Sequence, residues 1–64
     1  MAEYEKKLRA VLSQNGCHFL RRGKGDHDIW VNPMTGRQAP VPVSIKSRHT
    51  ANGILKQLGI AYKF

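Results

Sequence analysis

His27 is the residue in this 64-residue chain best suited to proton chemistry. An unperturbed imidazole titrates at about pH 6.5, so both of its forms are available near neutrality. His27 follows a basic, glycine-rich turn, Arg21-Arg22-Gly23-Lys24-Gly25, and opens an apolar run, Ile29-Trp30-Val31. Its neighbours Asp26 and Asp28 are two of the four carboxylates in the chain. Beyond Asp28 every charged side chain is basic: Arg37, Lys46, Arg48, Lys56 and Lys63. A titratable group on a positive body suits work on a polyanion such as RNA. RNA carries its own nucleophile, the 2′-hydroxyl. An enzyme need only remove that proton, stabilise charge on the phosphorus oxygens and help the leaving oxygen depart. One histidine and a few cations can do this with no cofactor and no metal.

The surroundings of His27 sharpen that chemistry. Gly23 and Gly25 let backbone N–H groups approach a phosphate, and Lys24 adds charge at the tip of the turn. A carboxylate close to His27 would favour the imidazolium form, which suits an acid better than a base. Side chains at 26, 27 and 28 alternate along an extended chain, however, so neither aspartate need reach the ring. The alternative reading makes His27 a polar residue at the start of a strand. A second basic cluster, Lys46-Ser47-Arg48-His49-Thr50, leads into a helix. Cations are unfavourable beside the positive end of a helix unless an anion joins them, so Lys46 and Arg48 are candidate phosphate ligands. The alternative there is a solvated loop with screened charges. His49 is a supporting donor or a residue that fixes the loop. Trp30 can stack on a base if it faces outward and otherwise belongs to the core. Cys17 and His18 are adjacent, a poor geometry for a shared metal.

Eleven Lys and Arg against four Asp and Glu leave a net charge of +7. That balance points to nucleic acid, an anionic membrane or an acidic protein, or simply to a surface that keeps a small domain in solution. The membrane is disfavoured, because no apolar run approaches the roughly 20 residues of a spanning helix. Met1-Ala2-Glu3-Tyr4-Glu5 is acidic and lacks the apolar segment of a signal peptide, so a reduced, cytoplasmic protein is expected. A single cysteine cannot form an internal disulfide. A chain this short buries only about 60% of its unfolded surface, so its core is thin.

The elements that must hold these groups follow from the pattern. From Glu3 to Asn15 the apolar residues Tyr4, Leu8, Val11 and Leu12 form the stripe of an amphipathic helix, with Lys6, Lys7 and Arg9 off it. Gly16 ends that helix. Residues 17–22 alternate loosely as a strand, and Gly23-Lys24-Gly25 is a turn whose glycines tolerate positive φ. Residues 27–32, rich in β-branched and aromatic types, form a second strand. Asn32-Pro33-Met34-Thr35-Gly36 is a hairpin turn. A third strand runs from about Arg37 to Val43. Pro40 and Pro42 lack an N–H, so this is an edge strand with those positions turned from its neighbour, and Val41 and Val43 point to the core. Ser44–His49 is a polar, basic connection. Thr50 is the expected N-cap of a second helix, with Ile54, Leu55 and Leu58 on its apolar side and Gly59 at its end. Gly53 inside that helix costs about 1 kcal/mol relative to alanine, so packing or function must tolerate it. Residues 60–64 pack back or meet a partner. The order is α-β-β-β-α: an α+β fold, one domain over residues 1–64, with two helices on one face of a three-stranded antiparallel sheet.

The run Arg22-Gly23-Lys24-Gly25-Asp26-His27-Asp28-Ile29-Trp30 resembles the glycine-x-histidine segment of the HicA toxins. Val41-Pro42-Val43, then Ser47-Arg48-His49-Thr50-Ala51-Asn52 and Ile54-Leu55-Lys56-Gln57-Leu58-Gly59-Ile60, look like the C-terminal half of that family. The resemblance covers nearly the whole chain in order. It implies a double-stranded-RNA-binding-domain-like fold and a ribonuclease toxin that cleaves mRNA and slows translation and growth. It also implies a HicB antitoxin that covers the active site and commonly joins the toxin in a hetero-oligomer. The family's catalytic histidine corresponds to His27. Its usual Gly-Ser-His is Gly25-Asp26-His27 in this chain, and the histidine that often follows is Asp28. The combined expectation is a metal-independent endoribonuclease, with His27 as proton-transfer residue and with Lys24, Lys46, Arg48 and His49 contacting RNA. The rivals are a non-catalytic double-stranded-RNA-binding module and a basic protein-interaction domain.

Overall fold

The computed structural model describes residues 4–64. Helix α1 spans Glu5–Gln14 and buries Leu8, Val11 and Leu12, the stripe marked out by the apolar spacing. The expected start at Glu3 lies outside the described residues. Glu5 sits in the first turn, where the helix dipole favours a carboxylate. Helix α2 spans Arg48–Gln57 and buries Ala51, Ile54 and Leu55. Both helices stop in the same way. After α1, Gly16 N–H donates to the Ser13 carbonyl and Cys17 N–H to that of Leu12. After α2, Gly59 N–H donates to Lys56 and Ile60 N–H to Leu55. These are paired Schellman bonds, and the residue beyond each glycine, Cys17 or Ile60, turns into the core.

Three strands lie between the helices: β1 (His18–Arg22), β2 (His27–Asn32) and β3 (Arg37–Pro42). They form an antiparallel sheet in the order β1-β2-β3. Opposed residues share a face. Ala39 and Val41 are buried, so their partners Trp30 and Asp28 lie on the helix-covered face. His27, Ile29 and Val31, opposite Pro42, Pro40 and Gln38, lie on the open face. A bulge at Leu20 interrupts the register, since Phe19 opposes Trp30 while Arg21 opposes Ile29. That extra residue explains the loose alternation over residues 17–22. Val43 N–H donates to the Asp26 carbonyl at 3.0 Å. Alternation then sets residues 39 and 41 toward β2 and turns Pro40 and Pro42 outward, as an edge position requires.

Two expectations about the core are corrected. Val43 lies one residue past the end of β3, where the chain bends although its N–H still reaches the Asp26 carbonyl, and it is 48% exposed. Ile45, inside a segment that looks wholly polar, is buried, and its carbonyl accepts the Tyr4 N–H at 2.8 Å. It joins Leu8, Leu12, Val41, Leu55 and Leu58 as the largest fully buried side chains. Trp30, Tyr4 and Phe64 pack around this cluster.

One polar residue belongs to the core. Asn32 is 5% exposed. Its Nδ2 donates to the Leu58 carbonyl at 2.8 Å, and its Oδ1 accepts the Met34 N–H at 3.1 Å. Asn32 therefore bolts the β2–β3 turn to the end of α2. Asn32→Ala leaves a buried carbonyl unpaired and is expected to cost about 1–3 kcal/mol. Urea denaturation measures this, and a midpoint equal to that of the parent would show that the bolt contributes nothing.

Candidate nucleic-acid interface

His27 is the first residue of β2, and its side chain is exposed. Its backbone is held from both sides. Gly23 N–H donates to the His27 carbonyl at 2.7 Å, while Val43 N–H holds the adjacent Asp26 carbonyl. The ring is held as well, with Nδ1 lying 3.2 Å from the Lys24 carbonyl oxygen. A carbonyl only accepts, so Nδ1 carries the proton in this contact. In the neutral ring Nε2 then keeps a free lone pair.

The turn before His27 works through two glycines for different reasons. The expectation that both use positive φ holds only for Gly25, at φ +64°. Gly23 is needed for space. A Cβ there would lie 2.9 Å from the His27 carbonyl oxygen and 2.9 Å from Ile29 Cδ1.

Asp28 does not serve the imidazole. Strand alternation turns it to the helix side, where Arg22 Nε lies 3.4 Å and Arg9 Nη2 3.7 Å from its oxygens. Arg9, off the apolar stripe of α1, thereby links α1 to β2. Asp26 is exposed and contributes its carbonyl to the sheet. No hydrogen bond or ion pair among the described residues joins either aspartate to His27.

The second basic cluster begins where β3 ends. Because Val43 pairs with Asp26, the connection from β3 to α2 starts at the same end of the sheet as the Gly23–Asp26 turn. Lys46, Arg48 and His49 are exposed, as is Lys24 on the turn. The N-cap of α2 is Ser47 rather than Thr50, and its side chain makes no capping bond. The helix begins at Arg48, so Arg48 and His49 occupy its first turn with no acidic residue beside them. N–H groups of a first helical turn have no partner within the helix, which leaves them available to an anion. Arg21 was not singled out from the sequence. It opposes Ile29 on the open face shared by His27, and the bulge at Leu20 hides that parity from any reading of alternation.

Other candidates fall away from this surface. Trp30 faces the helices, its Nε1 enclosed without a hydrogen-bond partner, so it is no stacking platform. Cys17 is buried, and burial pushes its thiol above the ordinary value, which disfavours the reactive thiolate. Among the described residues no three His, Cys, Asp or Glu side chains gather where a metal ion would sit. Among the described residues no helix is long and apolar enough to cross a membrane.

The family model described as HicA toxin of bacterial toxin–antitoxin matches residues 6–60. The chain belongs to the HicA toxin family. No curated protein and no solved structure matches it. Membership gives the chain a toxin's role and implies an antitoxin partner. The α-β-β-β-α order fits the double-stranded-RNA-binding-domain-like fold expected for HicA toxins.

The two glycines give separable outcomes. Gly23→Ala forces backbone apart and is expected to cost about 1–3 kcal/mol of stability. It should also move the NMR resonances of the His27 ring. Gly25→Ala strains only a left-handed turn and should cost about 1–2 kcal/mol. A Gly23→Ala protein with parental stability and unchanged ring signals would refute the close-approach account.

Proposed function

We propose that this HicA toxin is a metal-independent endoribonuclease that cuts mRNA in the cytoplasm, with His27 as its proton-transfer residue. The observation that supports this most is the hydrogen bond from His27 Nδ1 to the Lys24 carbonyl. It orients an exposed ring and leaves Nε2 to take the proton of a ribose 2′-hydroxyl, so His27 acts as the general base. The freed 2′-oxygen attacks the adjacent phosphorus to form a 2′,3′-cyclic phosphate, and the bond from phosphorus to the 5′-oxygen breaks, that oxygen taking up a proton from water to leave as a hydroxyl. Lys24 and the α2 N-terminus with Lys46 and Arg48 hold phosphates and offset the charge that builds on their oxygens, with His49 in a supporting role. The cationic end of the sheet is also the surface on which a HicB-type antitoxin would act. By covering His27 it blocks substrate and forms the hetero-oligomer in which the toxin is silent.

Positioned proton transfer contributes about a hundred- to ten-thousand-fold to rate. His27→Ala is therefore expected to fold, to bind RNA with near-parental affinity and to lose cleavage by that factor. Purified protein is incubated with labelled RNA, with and without a chelator, and the variant is expressed without antitoxin. Growth arrest and cleavage by His27→Ala at parental levels would sink the assignment, as would cleavage that requires metal. Retarded but intact RNA with the parent protein would point instead to a binding module.

A further inference from the structure

The molecule has a second cationic surface, on the helix layer and away from the open sheet face of His27. Past the Gly59 turn the chain runs back along α2. Phe64 N–H donates to Asn52 Oδ1 at 2.8 Å, which pins the returning segment to the helix. Between them lies an open groove of about 610 Å³, lined on one side by Asn52, Gly53 and Lys56 and on the other by Gly59–Lys63. That volume falls within the range of about 300–1,000 Å³ usual for small-ligand sites.

Three features give the groove a chemistry. Tyr62 is 47% exposed, yet its ring is not loose. It meets Phe64 edge-on at 5.1 Å, and Phe64 in turn meets Tyr4 at 5.5 Å. Lys56 and Lys63 stand one on each wall, no acidic residue lines the groove, and neither lysine has an ion pair among the described residues. Gly53 lies in mid-helix, where glycine is unfavourable, and a Cβ there would meet nothing within 4 Å. Packing within the chain does not call for a glycine at this position. Its bare backbone leaves room for a ligand to come close to the helix. A flat, held ring beside two free cations and a bare stretch of helix fits one unpaired nucleotide and its flanking phosphates.

We infer that the groove between α2 and residues 59–63 binds an unpaired nucleotide of the RNA, its base against Tyr62 and its phosphates on Lys56 and Lys63. This deepens the ribonuclease reading and rests on it. The longest dimension of the molecule is 32 Å. At about 3.4 Å per phosphate, roughly ten nucleotides cover that length in a straight line.

The test measures binding of a fluorescent ten-nucleotide oligouridine by anisotropy, in a His27→Ala background that keeps the probe intact. Tyr62→Leu, which keeps apolar bulk but removes the flat ring, is expected to weaken binding at least about fivefold. A duplex probe of the same length, its bases already stacked, should bind equally to both proteins. Lys56→Ala with Lys63→Ala should lower the slope of log K against log salt by about 1.4. Gly53→Gln should raise Tm by several degrees, since glutamine is the better helix former, while weakening oligouridine binding. Groove variants that bind with parental affinity and salt slope would overturn the inference, leave the RNA reading intact and assign the groove to an acidic protein segment. Equal weakening on single strand and duplex would also overturn it. If the His27→Ala protein with an intact groove binds no RNA at any salt, the ribonuclease reading fails and takes the groove with it.

Discussion

The geometry of the candidate site depends on the register between β2 and β3. Val41 and Ala39 must face the helices because they are buried, and their pairing with Asp28 and Trp30 carries the same parity across to β2. His27 is thereby sent to the open face. A slip of one residue would put the imidazole and Val41 on the same face, so either the ring would turn into the core or Val41 would be lifted into solvent. Burial of a few methyl groups thus decides the exposure of the ring, although none of them touches it. The same parity sends Asp28 inward to Arg9 and Arg22, and so separates the carboxylate from the imidazole that precedes it in the chain.

Charge acts against this fold as well as for its function. A net charge of +7 on 64 residues is self-repulsive, and the core available to oppose it is small. An anion bound at the sheet end relieves part of that repulsion. Any partner that binds only the folded chain would stabilise it by mass action.

Most of the architecture could be read from residue order, because its signals are local. The α1 stripe, the Asn32–Gly36 turn and the two helix-ending glycines each depend on near neighbours. So does the exposed start of β2 at His27. What was not legible depends on partners distant in the chain. Trp30 and its flanking Ile29 and Val31 are all apolar, so alternation alone could not say which face is covered. Ile45 hides among polar residues and is buried in the cluster that also holds Leu8 and Leu12 of α1. Ser47 and Thr50 are both competent cap types, and the helix starts directly after Ser47. Arg9 looked like a solvated helix residue until the sheet brought Asp28 beneath it. The groove needed the return of Phe64 to Asn52, which no periodicity announces.

The outer edge of β3 has one more consequence. Three of its residues turn their backbone outward: Gln38, Pro40 and Pro42. Two of these have no N–H, and the Gln38 carbonyl already accepts Gln57 Nε2. An incoming strand therefore finds one outward N–H, that of Gln38, and only the Pro40 and Pro42 carbonyls to accept from it along this margin. Strand margins with free main-chain groups are the ones that template fibres. Along β3 the obstacle to strand addition lies in the main chain itself and would persist at salt concentrations that screen every lysine and arginine on the surface.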